Sequence, residues 1–488
     1  MSAMSFLGVA VELWLVAGAL VVLLADITWR PPLRVLGIIA GLSLAGAVTA
    51  SVAQWRQAVV DGTASLEFSD MIAVDGFSAF GGLLIVVITG LGLAASWDLV
   101  EQLRDRAAEF IVLTLLAAAG VHVMAAAANF IVLFIGLEIA SISLYILAGY
   151  TREREDADEA ALKYFLLGAF ASAVFIYGVS LIFASTGTTS LYGVSDYLVS
   201  VVVLRPAVLF VGAALVIVGL GFKVSAAPFH MWAPDVYQGA PSGIAGYMTA
   251  AAKVGGFAAL GRVLAVPLST YITDWAPIIA AIAAASVVLG TVLAIAQTDI
   301  KRMLAYSSVA HAGFILTAMV AGGDGLDAMW FYLATYSLQV IGAFAIVATV
   351  GGAGEGRSPL TDFTGLGSRS PLLAATLATF MLAMGGIPLT AGFAGKVAVF
   401  QAAIDAGYLW LAIVGVLAAT AGLFFYLRVI VLMYMQAPAM AEAPGAAISS
   451  PQASLPTQGV LAVTGAITIG FGIVPWPLLD IVADALPF

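Results

Sequence analysis

The 488-residue sequence predicts an all-α polytopic membrane protein. Three observations point there. Hydrophobic residues make up 62% of the chain and charged residues only 9%, against about 25% charged in a typical soluble domain. Apolar runs of about 20 residues, the length a helix needs to cross a bilayer, recur along the whole chain. Tryptophans stand near the ends of these runs, where an interfacial belt would place them: Trp29, Trp55, Trp97, Trp232, Trp275, Trp330, Trp410 and Trp476, with Trp14 alone inside a run.

Fourteen such segments can be marked between polar punctuation: 6–25, 33–54, 73–95, 108–126, 129–149, 158–185, 205–230, 241–266, 274–297, 301–321, 326–351, 371–402, 407–434 and 457–478. The opening MSAMSFLGVAVELWLV has no basic stretch before its apolar run, so it reads as a first membrane helix and not a cleaved signal peptide. Basic residues set the orientation. Loops after segments 1, 3, 5, 9 and 11 hold ten: Arg30, Arg34, Arg104, Arg106, Arg152, Arg154, Lys301, Arg302, Arg357 and Arg369. The other side holds three, Arg56, Arg205 and Arg262. The richer side faces the cytoplasm and both termini face outward. The connection at 186–204 is rich in β-branched residues and reads as a short hairpin, and 435–456 reads as a mobile cytoplasmic loop.

Composition also excludes functions. Without cysteine there are no disulfides, thiolate metal sites or iron–sulfur ligands in this chain. No basic tract suggests nucleic acid. Gly351-Gly352-Ala353-Gly354 follows a membrane segment and not a βαβ strand, so it is a loop and not a nucleotide cradle. No histidines stand at haem or metal spacing.

The chemistry gathers where charge meets a helix breaker. In segment 7, GFKVSAAPFHMWAPDVYQGAP places Lys223 before Pro228 and then His230. Proline removes a backbone donor and clashes with the preceding turn, so the helix breaks here. In segment 12, Gly385-Gly386-Ile387-Pro388 precedes Lys396. These breaks lie five segments apart, an odd offset that gives the two surrounding units opposite orientations, as in inverted-repeat transporters. An intramembrane lysine costs about 2.5–3.5 kcal/mol on insertion scales. Of the five lysines, Lys163, Lys223, Lys253 and Lys396 lie in segments and Lys301 reads as a loop residue. Lysine, unlike arginine, can lose its proton when buried, as a proton carrier must. Glu138 is the one acid deep in a segment, and His311 lies near mid-segment 10. Glu138, Lys163, Lys223, Lys253, His311 and Lys396 can therefore form a polar line across the bundle. The alternatives are structural: Lys163 close enough to its segment end to snorkel, Glu138 and Lys223 as a static pair, His311 as a satisfied core histidine. His122 has no charged neighbour in sequence and reads as structural. Glu12, Asp26 and Arg428 read as interfacial, and Ala125–Ala128 as a close-packing surface.

The stretches GLEIASISLYILAGY, ALKYFLLGAFASAVFIYG, KVSAAPFHMWAPDVYQGAPSG, KRMLAYSSVAHAGF and GGIPLTAGFAGK resemble the antiporter-like membrane subunits of respiratory complex I, a family that also includes Mrp antiporter subunits. Within it, this chain has no room for the lateral helix of the longest members, and Lys396 stands where another branch carries glutamate. The resemblance implies fourteen transmembrane helices, two inverted five-helix repeats and broken helices 7 and 12. It divides the chain into an N-terminal three-helix region (1–100), a first repeat with helices 4–8 (101–270), a second repeat (271–435), and a cytoplasmic loop with helix 14 (436–488). It implies proton-transfer roles for Glu138, Lys163, Lys223, Lys253 and Lys396, relay positions at His230 and His311, and breaks at Pro228, Gly385, Gly386 and Pro388.

The expected function is proton translocation in the membrane arm of a bacterial NADH:quinone oxidoreductase, in the inner membrane with both termini periplasmic. The expected partners are other membrane-arm subunits and the lipid bilayer. The resemblance implies no cofactor in this chain; FMN, iron–sulfur clusters and quinone belong to partner subunits. Two alternatives stand beside this, a subunit of a multi-subunit Na⁺/H⁺ antiporter and a passive scaffold.

Overall fold

Long apolar stretches leave the backbone one economical solution away from water, the helix, which satisfies its own amides. The structure, a computed structural model, describes residues 6–151, 154–201, 206–352, 356–437 and 450–487, without the Arg104 side chain. Arg152, Arg205, Ala353, Gly354 and most of the 435–456 connection lie outside these residues.

The chain opens with α1 (Ala10–Trp29) and α2 (Leu33–Trp55), then a small antiparallel hairpin of β1 (Ser65–Glu67) and β2 (Ile72–Val74). Next come α3 (Gly76–Ala95), α4 (Trp97–Leu103), α5 (Ala107–Ala126), α6 (Phe130–Ala148), α7 (Glu155–Thr186), α8 (Leu191–Ser200) and α9 (Ala207–Lys223). The short α10 (Trp232–Gly239) leads to α11 (Ser242–Ala265), α12 (Ile272–Ile295), α13 (Ile300–Met319) and α14 (Leu326–Gly351). The end of the chain holds α15 (Leu366–Arg369), α16 (Pro371–Gly385), α17 (Ala391–Asp405), α18 (Leu409–Met435), α19 (Leu455–Ile473) and α20 (Trp476–Ala483). Helices occupy all the predicted segments, and among the described residues ten are long and apolar enough to cross a membrane. The short apolar helices α9 and α16 each stop at a break. The less apolar α11, with Lys253 and Arg262, and α13, with Lys301 and Arg302, are sheathed by neighbouring helices over nearly their whole length.

Small residues set the closest helix contacts. At Gly120 of α5 a Cβ would fall 2.4 Å from the Ala140 amide nitrogen of α6, and at Gly290 of α12 2.5 Å from that of Ala310 in α13. With no hydrophobic drive between helices in lipid, this van der Waals fit is what holds such pairs together.

Several expectations are corrected. The 186–204 stretch is not a hairpin: Ser190 accepts from the Gly193 amide at 3.1 Å and starts α8, so a side-chain cap overrides the β-branched pattern. Residues 202–204 lie outside the description. Trp232, Trp275 and Trp330 are buried within the bundle and form no belt. The first two donate to the Phe222 and Leu268 carbonyls, at 3.0 and 2.8 Å. Lys301 is no loop residue; it is fully buried in α13 and donates to the Ala240 carbonyl at 2.6 Å. Arg428 does not reach for an interface. It donates to the carbonyls of Ile295 and Gln297, which α12 leaves unpaired at its end.

Arg262, expected on an outer loop, is buried in α11 and donates twice to the Asp75 carboxylate, at 2.7 and 2.9 Å. Asp75 also caps α3 by accepting from the Ser78 amide. The guanidinium donates further to the Ala125 carbonyl at 3.0 Å and the Tyr192 hydroxyl at 3.2 Å, tying α3, α5, α8 and α11 together. Breaking a buried pair from one side strands a charge and costs about 3–5 kcal/mol, whereas removing both partners is often near neutral. Arg262→Met should therefore lower the thermal denaturation midpoint of the solubilised protein clearly, and Arg262→Met with Asp75→Asn should recover most of the loss.

Candidate functional site

Each helix break frees carbonyls that would otherwise accept from the next turn. After α9 the chain turns through Val224–Met231, with Ser225 at φ +58° and a cis Ala227–Pro228 bond. The Phe222 carbonyl is taken by the Trp232 indole, and the Ala227 amide donates to the Ser286 hydroxyl of α12 at 2.8 Å. The Val224 carbonyl is taken by Lys253, whose ammonium reaches it from α11 at 3.0 Å and Ser225 Oγ at 3.4 Å. In the second break Gly386 closes α16 at φ +85°, a left-handed cap where glycine carries no Cβ penalty. Lys396 reaches back from α17 to the Met384 and Gly385 carbonyls, at 2.7 and 2.9 Å. Both lysines are buried, and among the described residues neither touches a carboxylate. The negative end of a half-helix is their counter-charge.

The remaining site residues arrange around this pair. Lys223, the last residue of α9, donates to Ser141 Oγ of α6 at 2.8 Å. Glu138 lies one turn before Ser141, near enough to act on Lys223 electrostatically. It makes no contact ion pair with it, and its Oε1 is buried without a partner. A static Glu138–Lys223 pair is therefore not what the structure holds. The Tyr237 hydroxyl of α10 lies near Thr249, Ser225 and Ser308. His311 is buried in α13, within electrostatic reach of both Lys253 and Lys396. Its Nδ1 is 2.8 Å from the Tyr332 hydroxyl and its Nε2 3.0 Å from that of Tyr426, which in turn bonds Ser307. Its ring stacks on Tyr336 at 4.4 Å. A histidine with a hydroxyl on each nitrogen can accept on one side while donating on the other.

Two predicted members stand apart. Lys163 does not join the buried line. Only two turns from the start of α7, it is partly exposed and ion-paired with Asp235 at 2.8 Å and Glu159 at 2.7 Å. His230 lies within the first break and is buried, with no hydrogen-bond partner for Nδ1 among the described residues and Tyr306 edge-on at 6.4 Å. Sequence reasoning missed Ser141, Asp235, Lys301 and the tyrosines around His311. Of these only Asp235, an acid in the DVYQGAP wording, carried a signal. It also read His122 as isolated, whereas the buried ring holds Glu12 at 2.7 Å across 110 residues of sequence. Glu12 is thus turned inward and not interfacial.

The geometry can be compared with known proteins. The model of the NADH:quinone oxidoreductase/Mrp antiporter transmembrane family matches residues 127–422, from the start of α6 into α18. NADH-quinone oxidoreductase subunit N of Trichlorobacter lovleyi is 39% identical over 459 residues, 93% of this chain and 92% of that protein. A chain of respiratory complex I from Thermus thermophilus superposes with a TM-score of 0.80 at 31% identity, over 98% of this chain and 100% of that one. A chain of the Mrp complex from Dietzia sp. DQ12-45-1b shares the fold with a TM-score of 0.86 at 21% identity, over 99% of this chain and 97% of its own length. A shared sequence over nearly the full length, together with a shared fold, places the chain in the NADH-quinone oxidoreductase subunit N family, within the complex I and Mrp antiporter membrane proteins.

Proposed function

We propose that this chain moves protons across a bacterial inner membrane as a membrane-arm subunit of an NADH:quinone oxidoreductase. The observation that carries the reading is the pair of buried lysines, Lys253 and Lys396, each held by carbonyls at a helix break and neither neutralised by an acid. An ammonium bound only by dipoles can give up its proton without stranding an opposite charge. Lys223 and Ser141, with Glu138 one turn away, form the cytoplasmic half of the path. Lys253, His311 and Lys396 continue it, with His230 and Lys163 as outlying members.

The reading extends to the architecture. Fourteen spans form an N-terminal three-helix region (1–100), two inverted five-helix repeats (101–270 and 271–435) and a last helix after a cytoplasmic loop (436–488). The breaks at Pro228 and at Gly385, Gly386 and Pro388 are the matching discontinuities of helices 7 and 12. Both termini face outward. Neighbouring membrane-arm subunits, lipid and protons are the partners, while FMN, iron–sulfur clusters and quinone stay in other subunits. Quinone reduction supplies the energy. Moving one charge against 100 mV costs about 2.3 kcal/mol, which a change of two units in a lysine's proton affinity would match at about 1.36 kcal/mol each. The Mrp fold likeness favours a second reading, a subunit of a Na⁺/H⁺ antiporter. Co-purification with flavin and iron–sulfur partners separates the two.

The test is NADH-driven proton uptake by inverted membrane vesicles, scored beside the amount of assembled complex. Lys223→Ala, Lys253→Ala and Lys396→Ala should each assemble and lose most uptake. Full uptake in all three would leave only a scaffold. Gly386→Ala gives an independent check. Its Cβ would fall 2.8 Å from Lys396 Cδ and 2.9 Å from Nζ, at φ +85°. A left-handed non-glycine residue costs about 1–2 kcal/mol, and the added methyl pushes the ammonium off its carbonyls. Gly386→Ala should lower uptake sharply. Gly407→Ala, at φ +86° with nothing within 4 Å, carries the same backbone cost and should leave uptake intact.

A further inference from the structure

The half-helix α10 lies between the first break and α11 and is gripped by two pairs of consecutive residues. From α7, Lys163 donates to Asp235 Oδ2 at 2.8 Å, and Tyr164 stacks flat on Trp232, centroids 4.4 Å apart and planes 7° from parallel. From α13, Arg302 donates to Asp235 Oδ1 at 2.6 Å and to Gln238 at 3.2 Å, and Lys301 donates to the Ala240 carbonyl at the end of α10. The same Tyr164 ring lies 5.9 Å from Lys223 Nζ. Asp235 thus pairs with charges on both α7 and α13, and it rides on the element directly beyond the break. Its carboxylate is a third exposed, in a cleft of about 220 Å³ lined also by Asp156, Glu159 and Arg357.

We propose that Asp235 is a positioning residue for proton transfer: it anchors Lys163 at the cytoplasmic cleft and α10 against α13, and so sets how near the Lys163 charge comes to Lys223. The inference rests on the proton-translocating reading above. A second ammonium approaching Lys223 would disfavour its charged form, and one held away by a carboxylate leaves the proton in place. Ion pairs exposed to this degree break and re-form readily, which suits a moving part better than a fixed brace. Because α10 carries both Asp235 and Trp232, a change in the grip on Lys163 reaches the Tyr164 ring, and with it the surroundings of Lys223, within one short helix. The grip of Arg302 and Lys301 on the same helix passes that change to α13, where His311 sits nine residues beyond Arg302.

Glu159 provides the control, because it pairs with Lys163 at 2.7 Å within α7 and has no bond to α10 or α13. The experiment measures protons taken up per NADH oxidised by vesicles carrying the assembled complex. Asp235→Asn should lose most of this ratio, Asp235→Glu should restore much of it, and Glu159→Gln should leave it unchanged. An unchanged ratio in Asp235→Asn overturns the proposal. So does an equal loss in Glu159→Gln, since charge on Lys163 alone would then be what matters. If Asp235→Asn fails to assemble, Arg302→Gln cuts the bond from Asp235 to α13 while keeping the Lys163 charge, and an unchanged ratio there overturns the proposal. Lys253→Ala in parallel separates the two levels. Full uptake there and in Lys223→Ala and Lys396→Ala would remove the proton-translocating reading, while blocked uptake there with an intact ratio in Asp235→Asn would remove only the role of Asp235.

Discussion

A carbonyl freed inside a membrane has to find a donor, because there is no water to supply one and each unmet group costs several kcal/mol. The two helix breaks create such carbonyls in the middle of the bundle, at Val224 and at Met384 and Gly385, and buried ammonium groups meet them. The dependence runs both ways. Without the breaks Lys253 and Lys396 would be charges in an apolar medium, and without the lysines the breaks would hold unpaired backbone. Much of the remaining architecture serves this exchange: Ser286 holding the Ala227 amide, Trp232 taking the Phe222 carbonyl, Gly386 leaving room for the Lys396 stem.

The two breaks solve the same problem differently. In the first, the lysine comes from another helix, so closure of the break depends on how α9 and α11 sit together. In the second it comes from the half-helix just beyond the break, so the solution is local. Between them, the hydroxyls of Tyr332, Tyr426 and Ser307 give His311 polar company on both ring nitrogens without any fixed charge. Charges that are fixed sit elsewhere: Arg262 with Asp75, and Arg428 on the end of α12. Arginine secures the scaffold, and the residue that can shed a proton occupies the centre.

How far the sequence could be read follows the range of each interaction. Pro228, Gly385 and Gly386 were legible because their effect on the backbone is local. Lys253 and Lys396 were legible because a lone charge in an apolar run is costly wherever the chain goes. Arg262 was misread because its partner, Asp75, lies 187 residues away. Lys301 stands at the polar edge of a segment, and only the packing of Ala240 and Gly356 against it shows that it is buried. Ser141 gave no signal, since a membrane-helix serine commonly bonds its own helix, as this one also does to the Leu137 carbonyl at 2.6 Å. The aromatic rule failed at Trp232, Trp275 and Trp330 because these helix ends are packed against protein.

The sheathing of α11 and α13 bears on how such a chain enters the bilayer at all. A helix carrying Lys253 and Arg262, or Lys301, Arg302 and His311, gains too little from hydrocarbon to partition there by itself. Greasier companions such as α5, α12 and α14 have to be at hand when these two leave the insertion machinery, so that glycine-lined grooves receive them in place of lipid. In the bilayer these two helices are solvated by protein in place of lipid.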